Sequence, residues 1–358
     1  MSGAISLTPR SGELYSHTAI RGIAALCVVG CHAVVGAAGQ GYTDNQIQNF
    51  FVTSFLFVDF FFILSGFIMF ENYGQKIGGP AFFANSVQYW KKRLLKILPN
   101  YYLWLIIAVA ITYLKWNYFG DRVEYSECVE DSVVKHFLLV QNLIGSCHYF
   151  NIALWSIAVE IIAYLAFPII ILLRTGWFST LLIGAIFYFI FFSFSGTIDI
   201  IDGYFSILRC LAGFICGIAA AKMNTRNWWD VAHVTIIALL VCAISLNYQI
   251  ISLLLMFIIT VATAQNTGVV SKISQMKLPY VIGRSSFSIY LAHVPVAMVV
   301  NPIAFKFESA TGLPIGSDWR VIMPLEVVAS CAVGILAYVI VERRFERLFA
   351  KQARVQIA

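Results

Sequence analysis

The run F-V-T-S-F-L-F-V-D-F-F-F-I-L-S-G-F-I-M-F occupies residues 51–70 and contains one charged side chain, Asp59. About 20 apolar residues in a helix cross a hydrocarbon core of about 30 Å, so this stretch reads as a transmembrane helix. Nine further stretches of the same kind lie near residues 18–39, 95–114, 152–174, 177–194, 204–221, 230–247, 249–265, 284–303 and 320–341. Over the 358 residues 60% are hydrophobic and 12% are charged, whereas soluble domains run near about 45–50% and 25%. With 29 Phe, 17 Tyr and 8 Trp there is more apolar surface than one soluble core can hide. This composition excludes an ordinary soluble enzyme. It predicts an all-α polytopic membrane bundle of about ten transmembrane helices, one integral-membrane domain over residues 1–358 with short tails at 1–17 and 342–358.

Charge then sets the orientation. An even number of crossings puts both termini on one face. If that face is cytoplasmic, 18 of the 24 Lys and Arg residues lie inside and five outside (Lys115, Arg122, Lys135, Lys306 and Arg320), with Arg209 inside a span. The positive-inside asymmetry therefore predicts cytoplasmic termini. Arg21 and His32 interrupt the first apolar run, and no small-residue cleavage pattern follows a basic segment, so the run reads as a retained helix and not a cleaved signal. Residues 132–146 are too short and too polar to span and read as an interfacial helix. Residues 71–97 read as a long cytoplasmic loop carrying Gly78, Gly79 and Pro80 and then the basic run Lys91, Lys92, Arg93 and Lys96. In the outer stretch 115–151 lie Cys128 and Cys147, two of eight cysteines and the two outside apolar spans; they form either a disulfide on an oxidising face or two free thiols. Neither metal-ligand spacing nor a repeat is present, so any chemistry belongs to the bundle and its loops.

Ionisable groups inside a span are costly and face a bundle interior or a water-filled cavity, which makes them functional candidates. Arg21 and His32 are separated by eleven positions; at about 100° and 1.5 Å per residue they share one helix face about 16 Å apart. The pair suits a path for an anionic molecule entering from the cytoplasm. A snorkelling arginine and a histidine satisfied by a neighbouring helix account for the spacing equally well. Asp59 on the second helix comes to a depth similar to His32, where a carboxylate fixes the tautomer of an imidazole and raises its basicity; a buried ion pair or a helix cap is the competing reading. Glu160, in L-W-S-I-A-V-E at 154–160, lies about 12 Å below the outer surface by the same rise. Tyr290 and His293 read more readily as packing and interface anchors, and Arg209 and Glu326 as structural.

Five ordered motifs carry a resemblance. R-G-I-A-A-L-C-V-V-G-C-H at 21–32, F-F-I-L-S-G-F at 61–67, R-L-L-K-I-L-P at 93–99, L-W-S-I-A-V-E at 154–160 and F-S-I-Y-L-A-H at 287–293 resemble the acyltransferase type 3 family of membrane proteins. The short loops look closest to its exopolysaccharide acetyltransferase branch. The resemblance implies transfer of an acyl group, in the first instance acetyl, from cytoplasmic acyl-CoA to a hydroxyl of a carbohydrate, free or lipid-linked, in a bacterial inner membrane. It assigns Arg21 and His32 to the essential pair and Arg93 to the first arginine of a donor-binding pair; the general-base role of His32, with Asp59 and Glu160 as its polar companions, follows from their placement in the spans. The second arginine is replaced by Lys96, which keeps the charge and loses the planar fork that suits phosphate. No metal and no nucleic acid enter this reading. The competing class is a transporter or flippase for a lipid-linked saccharide, which predicts two corresponding halves; here the polar motifs concentrate in the first 160 residues.

Overall fold

The apolar stretches fold as helices whose bounds depart from the expected ones in informative ways. A computed structural model describes residues 14–39, 43, 45–77, 80–119, 128–145, 150–223 and 230–345. In chain order the helices are α1 (Tyr15–Ala38), α2 (Gln46–Thr53), α3 (Phe57–Ile77), α4 (Phe82–Phe119), α5 (Cys128–Phe137), α6 (Gln141–Ile144), α7 (Leu154–Leu172), α8 (Trp177–Ser195), α9 (Gly203–Lys222), α10 (Asp230–Ser245), α11 (Gln249–Ala262), α12 (Gly268–Ser274), α13 (Lys277–Thr311) and α14 (Trp319–Ala337). A 3₁₀ turn, Ser54–Leu56, joins α2 to α3, and α14 runs on into a π-helical turn, Tyr338–Glu342. No strand occurs among the described residues.

Eight helical segments among the described residues are long and apolar enough to cross a membrane. The stretches expected to span at 230–247 and 249–265 instead form α10 and α11, of 16 and 14 residues. At 1.5 Å per residue these reach about 24 and 21 Å, short of a 30 Å core. Asn247, at φ 57°, turns the chain between them. Because they come as a pair, the parity of crossings is the same whether they are counted or not. The stretch expected to be one interfacial helix at 132–146 divides, over its described residues 132–145, into the end of α5 and the short α6. Cys147 and the side chain of Cys128 lie outside the described residues.

The region expected to be a loop before the third span differs most. From Phe82 onward it is helical, and α4 continues for 38 residues. Arg93 and Lys96 therefore stand on the same helix, interrupted by Pro99, as the apolar residues that follow. Apolar residues of α8 show where the solvent is lipid. Thr180, Gly184 and Phe191 form its buried stripe, while Phe189 and Phe194 are 73% and 76% exposed.

The chain divides into two compact units, one built from the described residues of 1–72, 175–199 and 211–287, the other from those of 73–174, 200–210 and 288–358. In the first, glycine sets the helix spacing. A Cβ on Gly66 would fall on the Phe214 carbonyl and one on Gly217 on the Ile63 carbonyl, so α3 and α9 touch backbone to backbone. A Cβ on Gly22 would lie 2.8 Å from the Gly283 amide nitrogen, which brings α1 against the start of α13 in the same way. Lipid tails are as apolar as leucine, so helices in a membrane associate through close packing of this kind.

In the second unit, proline sets the cross-links. Pro168 inside α7 and Pro295 inside α13 have no N–H for the carbonyls of Tyr164 and Leu291. Each carbonyl is bonded by a side chain instead: Trp90 Nε1 donates to Tyr164 O at 3.2 Å and Asn151 Nδ2 to Leu291 O at 2.9 Å. The first bond ties α4 to α7, and the second ties the segment before α7 to α13.

Gly66→Ala and Gly217→Ala should each cost about 1–3 kcal/mol through overpacking and lower the melting midpoint of the detergent-solubilised protein. Gly176, whose Cβ position is open, is the control: Gly176→Ala should leave the midpoint in place. An unchanged midpoint in both α3 and α9 variants would contradict the backbone contact.

Candidate active site

α1 is continuous, so Arg21 and His32 do share one face of it. The first turn after Arg21 is locked by the Gly22–Gly283 approach, and Arg21 reaches over to α13. Its Nε donates to Ser286 Oγ at 2.9 Å and its Nη2 to the Gly283 carbonyl at 3.4 Å. Both acceptors belong to the first unit. These bonds fix the guanidinium in the plane that they define. His32 stands half-buried three turns further on, between the buried Cys31 and Ala33.

Asp59 is fully buried. The structure places it in the first turn of α3, just after the 3₁₀ break, where the positive end of the helix dipole favours a carboxylate. Tyr188 of α8 donates its hydroxyl to Asp59 Oδ1 at 3.2 Å. Gly213 of α9 makes room for the pair, since a Cβ there would lie 2.9 Å from the Tyr188 oxygen. Tyr188 is thus a partner of Asp59 that spacing did not indicate.

The second unit holds the other candidates. Arg93 stacks over the ring of Tyr73 at 4.9 Å and donates from Nη2 to the Tyr73 hydroxyl at 3.1 Å. Lys96 is exposed, one turn along α4. Glu160 is half-buried on α7, and Tyr164 one turn on donates to its Oε1 at 2.6 Å. Beside it lies a dense polar group: Ser156 and Tyr290 share a hydrogen bond of 2.9 Å, and Arg209 and Glu160 both act electrostatically on the Tyr290 hydroxyl. Arg209, only 1% exposed, covers the Trp155 ring at 5.2 Å and donates to the Ile200 carbonyl at 3.1 Å. His293 Nδ1 bonds the Tyr290 carbonyl. Tyr290 and His293 are therefore interior residues and not interface anchors, at 5% and 1% exposure.

Spacing alone did not reveal Tyr73, Tyr188 or Ser286, because hydroxyl groups carry no charge that marks them in an apolar run. Among the described residues no three His, Cys, Asp or Glu side chains gather as a metal-binding group.

A family model described as an acyltransferase domain matches residues 14–343. The chain belongs to the acyltransferase type 3 family. Within curated relatives it is 29% identical over 170 residues to the acyltransferase MdmB of Streptomyces mycarofaciens, covering 46% of this chain and 40% of that protein. It is 24% identical over 308 residues to the O-acetyltransferase OatA of Staphylococcus aureus, covering 69% of this chain and 46% of that protein. The chain thus spans less than half the length of either relative. No solved structure matches it. The matched region takes in every helix from α1 to α14 and all six candidate residues.

Tyr188→Phe should cost about 1.5–3 kcal/mol of stability, the worth of a hydrogen bond to a buried charged group. The same substitution made in an Asp59→Asn background should cost roughly half as much, measured by denaturation in detergent. Strictly additive costs would show that the two side chains do not interact.

Proposed function

We propose that this membrane protein is an O-acyltransferase that moves an acyl group, acetyl in the first instance, from acyl-CoA on the cytoplasmic side to a hydroxyl of a bacterial surface or exopolysaccharide sugar, free or lipid-linked. The observation that carries this reading is the family match over residues 14–343. It is supported by the name of the S. aureus relative, an O-acetyltransferase, and by the Arg21–His32 face of α1. The location that goes with it is a bacterial inner membrane with both termini inside.

Coenzyme A carries several phosphate charges, so its headgroup calls for cations at the membrane surface. Arg93 and Lys96 supply them from the start of α4. Stacking on Tyr73 holds the Arg93 guanidinium in place before the donor arrives, which reduces the entropy lost on binding. Lys96 acts as a point charge without a bidentate fork. Arg21, anchored by Ser286, places a fixed positive charge on the same face of α1 as His32.

His32 takes the proton from the acceptor hydroxyl. The oxygen forms a bond to the thioester carbonyl carbon, and the carbonyl electron pair moves onto oxygen to give a tetrahedral oxyanion. Collapse of that intermediate breaks the C–S bond, and the coenzyme A thiolate leaves with the proton carried by His32. A half-buried histidine fits this work, since it is neither sealed in the core nor fully exposed. Glu160, oriented by Tyr164, accepts hydrogen bonds from acceptor hydroxyls. Asp59 fixes the tautomer of the His32 imidazole and raises its basicity.

His32→Ala should lower acyl transfer by about 10²–10⁴-fold while the protein still accumulates in membranes, because a general base contributes about that factor. Labelled acyl-CoA and membrane fractions of a glycan-producing host provide the assay. Arg93→Ala should raise the apparent KM for acyl-CoA and leave the dependence on acceptor nearly unchanged. Full activity in a normally expressed His32→Ala variant would remove the histidine from the reaction.

A further inference from the structure

Four polar side-chain atoms of one helix are buried without a hydrogen bond from any described residue: Tyr89 Oη, Arg93 Nε, Asn100 Oδ1 and Trp104 Nε1, all on α4. Buried polar groups are ordinarily satisfied, and a buried Trp N–H ordinarily finds an acceptor. The four positions are separated by four, seven and four residues. At about 100° per residue they fall within about 60° of one another around the helix, and at 1.5 Å per residue they extend over about 22 Å. They form a single polar stripe. Tyr89, Asn100 and Trp104 are 1%, 1% and 4% exposed, so the stripe does not face lipid.

The remaining atoms of these residues are engaged, and their bonds fix the direction of the unsatisfied ones. Arg93 is held by Tyr73. Asn100 Nδ2 donates to Ser288 Oγ at 2.9 Å, and Ser288 Oγ donates to Glu342 Oε2 at 2.9 Å. Ser288 has one proton and spends it on the carboxylate, so towards Asn100 it can only accept. That settles the orientation of the amide: nitrogen towards Ser288, oxygen left as an acceptor. Glu342, the anchor of this chain of bonds, closes the π-helical turn after α14, and such turns are frequent at functional sites. The stripe thus presents, from the basic end inward, a hydroxyl, a guanidinium N–H, an amide oxygen and an indole N–H.

We propose that this stripe binds the pantetheine arm of the donor, with Asn100 Oδ1 accepting an amide N–H and Trp104 Nε1 donating to an amide carbonyl. Tyr89 Oη and Arg93 Nε–H serve the phosphate end. The inference rests on the acyl-CoA reading given above and adds the residues that hold the arm. The match is chemical and metric. Pantetheine carries two amides separated by two methylenes, about 5 Å apart at standard bond lengths, and Asn100 and Trp104, one turn apart, are separated by about 6 Å along α4. The arm from phosphate to sulfur is a chain of about thirteen bonds, roughly 16 Å at standard lengths, so its phosphate end and both amides fit within the stripe's length of about 22 Å. A fatty chain would leave the polar atoms unsatisfied, and a free nucleotide would not reach Trp104.

The test is equilibrium binding to the full-length protein in detergent, with tritiated coenzyme A and tritiated pantetheine measured separately. Trp104→Phe and Asn100→Leu should each weaken both ligands by about three- to tenfold, the loss of one or two buried hydrogen bonds. Arg93→Gln should weaken coenzyme A and leave pantetheine unaffected. Wild-type affinity for both ligands in Trp104→Phe and Asn100→Leu overturns the proposal and leaves the donor reading standing. A loss confined to coenzyme A overturns it as well, since the stripe would then contact the nucleotide, and so does the absence of pantetheine binding by the wild-type protein. If the wild-type protein binds neither ligand, the donor reading itself fails. Should Asn100→Leu not fold, as judged by its melting curve, Trp104→Phe decides alone because it keeps an aromatic ring and removes the N–H.

Discussion

A hydrocarbon core offers no water to a freed carbonyl, and the second unit is arranged around that fact. Pro168 and Pro295 each release one carbonyl, and a lipid-exposed release of this kind would cost several kcal/mol. Trp90 and Asn151 bond the two carbonyls from other segments of the chain. The consequence goes beyond satisfaction. Trp90 lies on α4 one turn before Arg93, so the bond that satisfies α7 also fixes where the basic residues stand relative to Glu160. Asn151 lies immediately before α7, so its bond to Leu291 fixes where α7 begins relative to Tyr290. Helix breakers thereby act as the joints that hold the polar residues in register.

In the first unit the equivalent constraint is distance. Gly22 and Gly283 allow two backbones to meet, and only at that separation does the Arg21 side chain fold onto Ser286 instead of extending to the membrane surface. The R-G pair at 21–22 is therefore one device: the glycine closes the gap and the arginine uses it. Gly66 in F-F-I-L-S-G-F performs the same service for α3 and α9, and Gly213 opens the space in which Tyr188 meets Asp59.

The helical membrane architecture was legible because lipid imposes a length and a composition that few other structures meet. The basic run before the third span was not legible as helix. Charged residues at 91–96 look like loop when hydropathy is the only guide, yet Phe82–Trp90 has no breaker, and the helix simply begins before the apolar run. The lengths of α10 and α11 were hidden for the opposite reason, since Leu246 and Tyr248 continue the apolar pattern through the turn that Asn247 makes. Of the candidate site, the charged members could be named from sequence because a charge inside a span is rare. Their partners could not, because Tyr73, Tyr164, Tyr188 and Ser286 are ordinary residues until tertiary packing brings them to a carboxylate or a guanidinium.

The polar groups of the interior fall into two kinds, and the difference bears on reactivity. Arg21, Asp59, Glu160 and Asn151 each hold at least one hydrogen bond that closes within its own unit. A group fixed in this way costs little to reorganise when charge develops beside it, which is the condition for electrostatic stabilisation of a transition state. The α4 atoms are instead held in direction and left open in valence, which is the condition for recognising a ligand. An interior built only of the first kind would be stable and indifferent to substrate; one built only of the second would not fold in lipid. The Asn100–Ser288–Glu342 relay joins the two, because a closed chain of bonds at one end of the amide is what aims the open oxygen at the other.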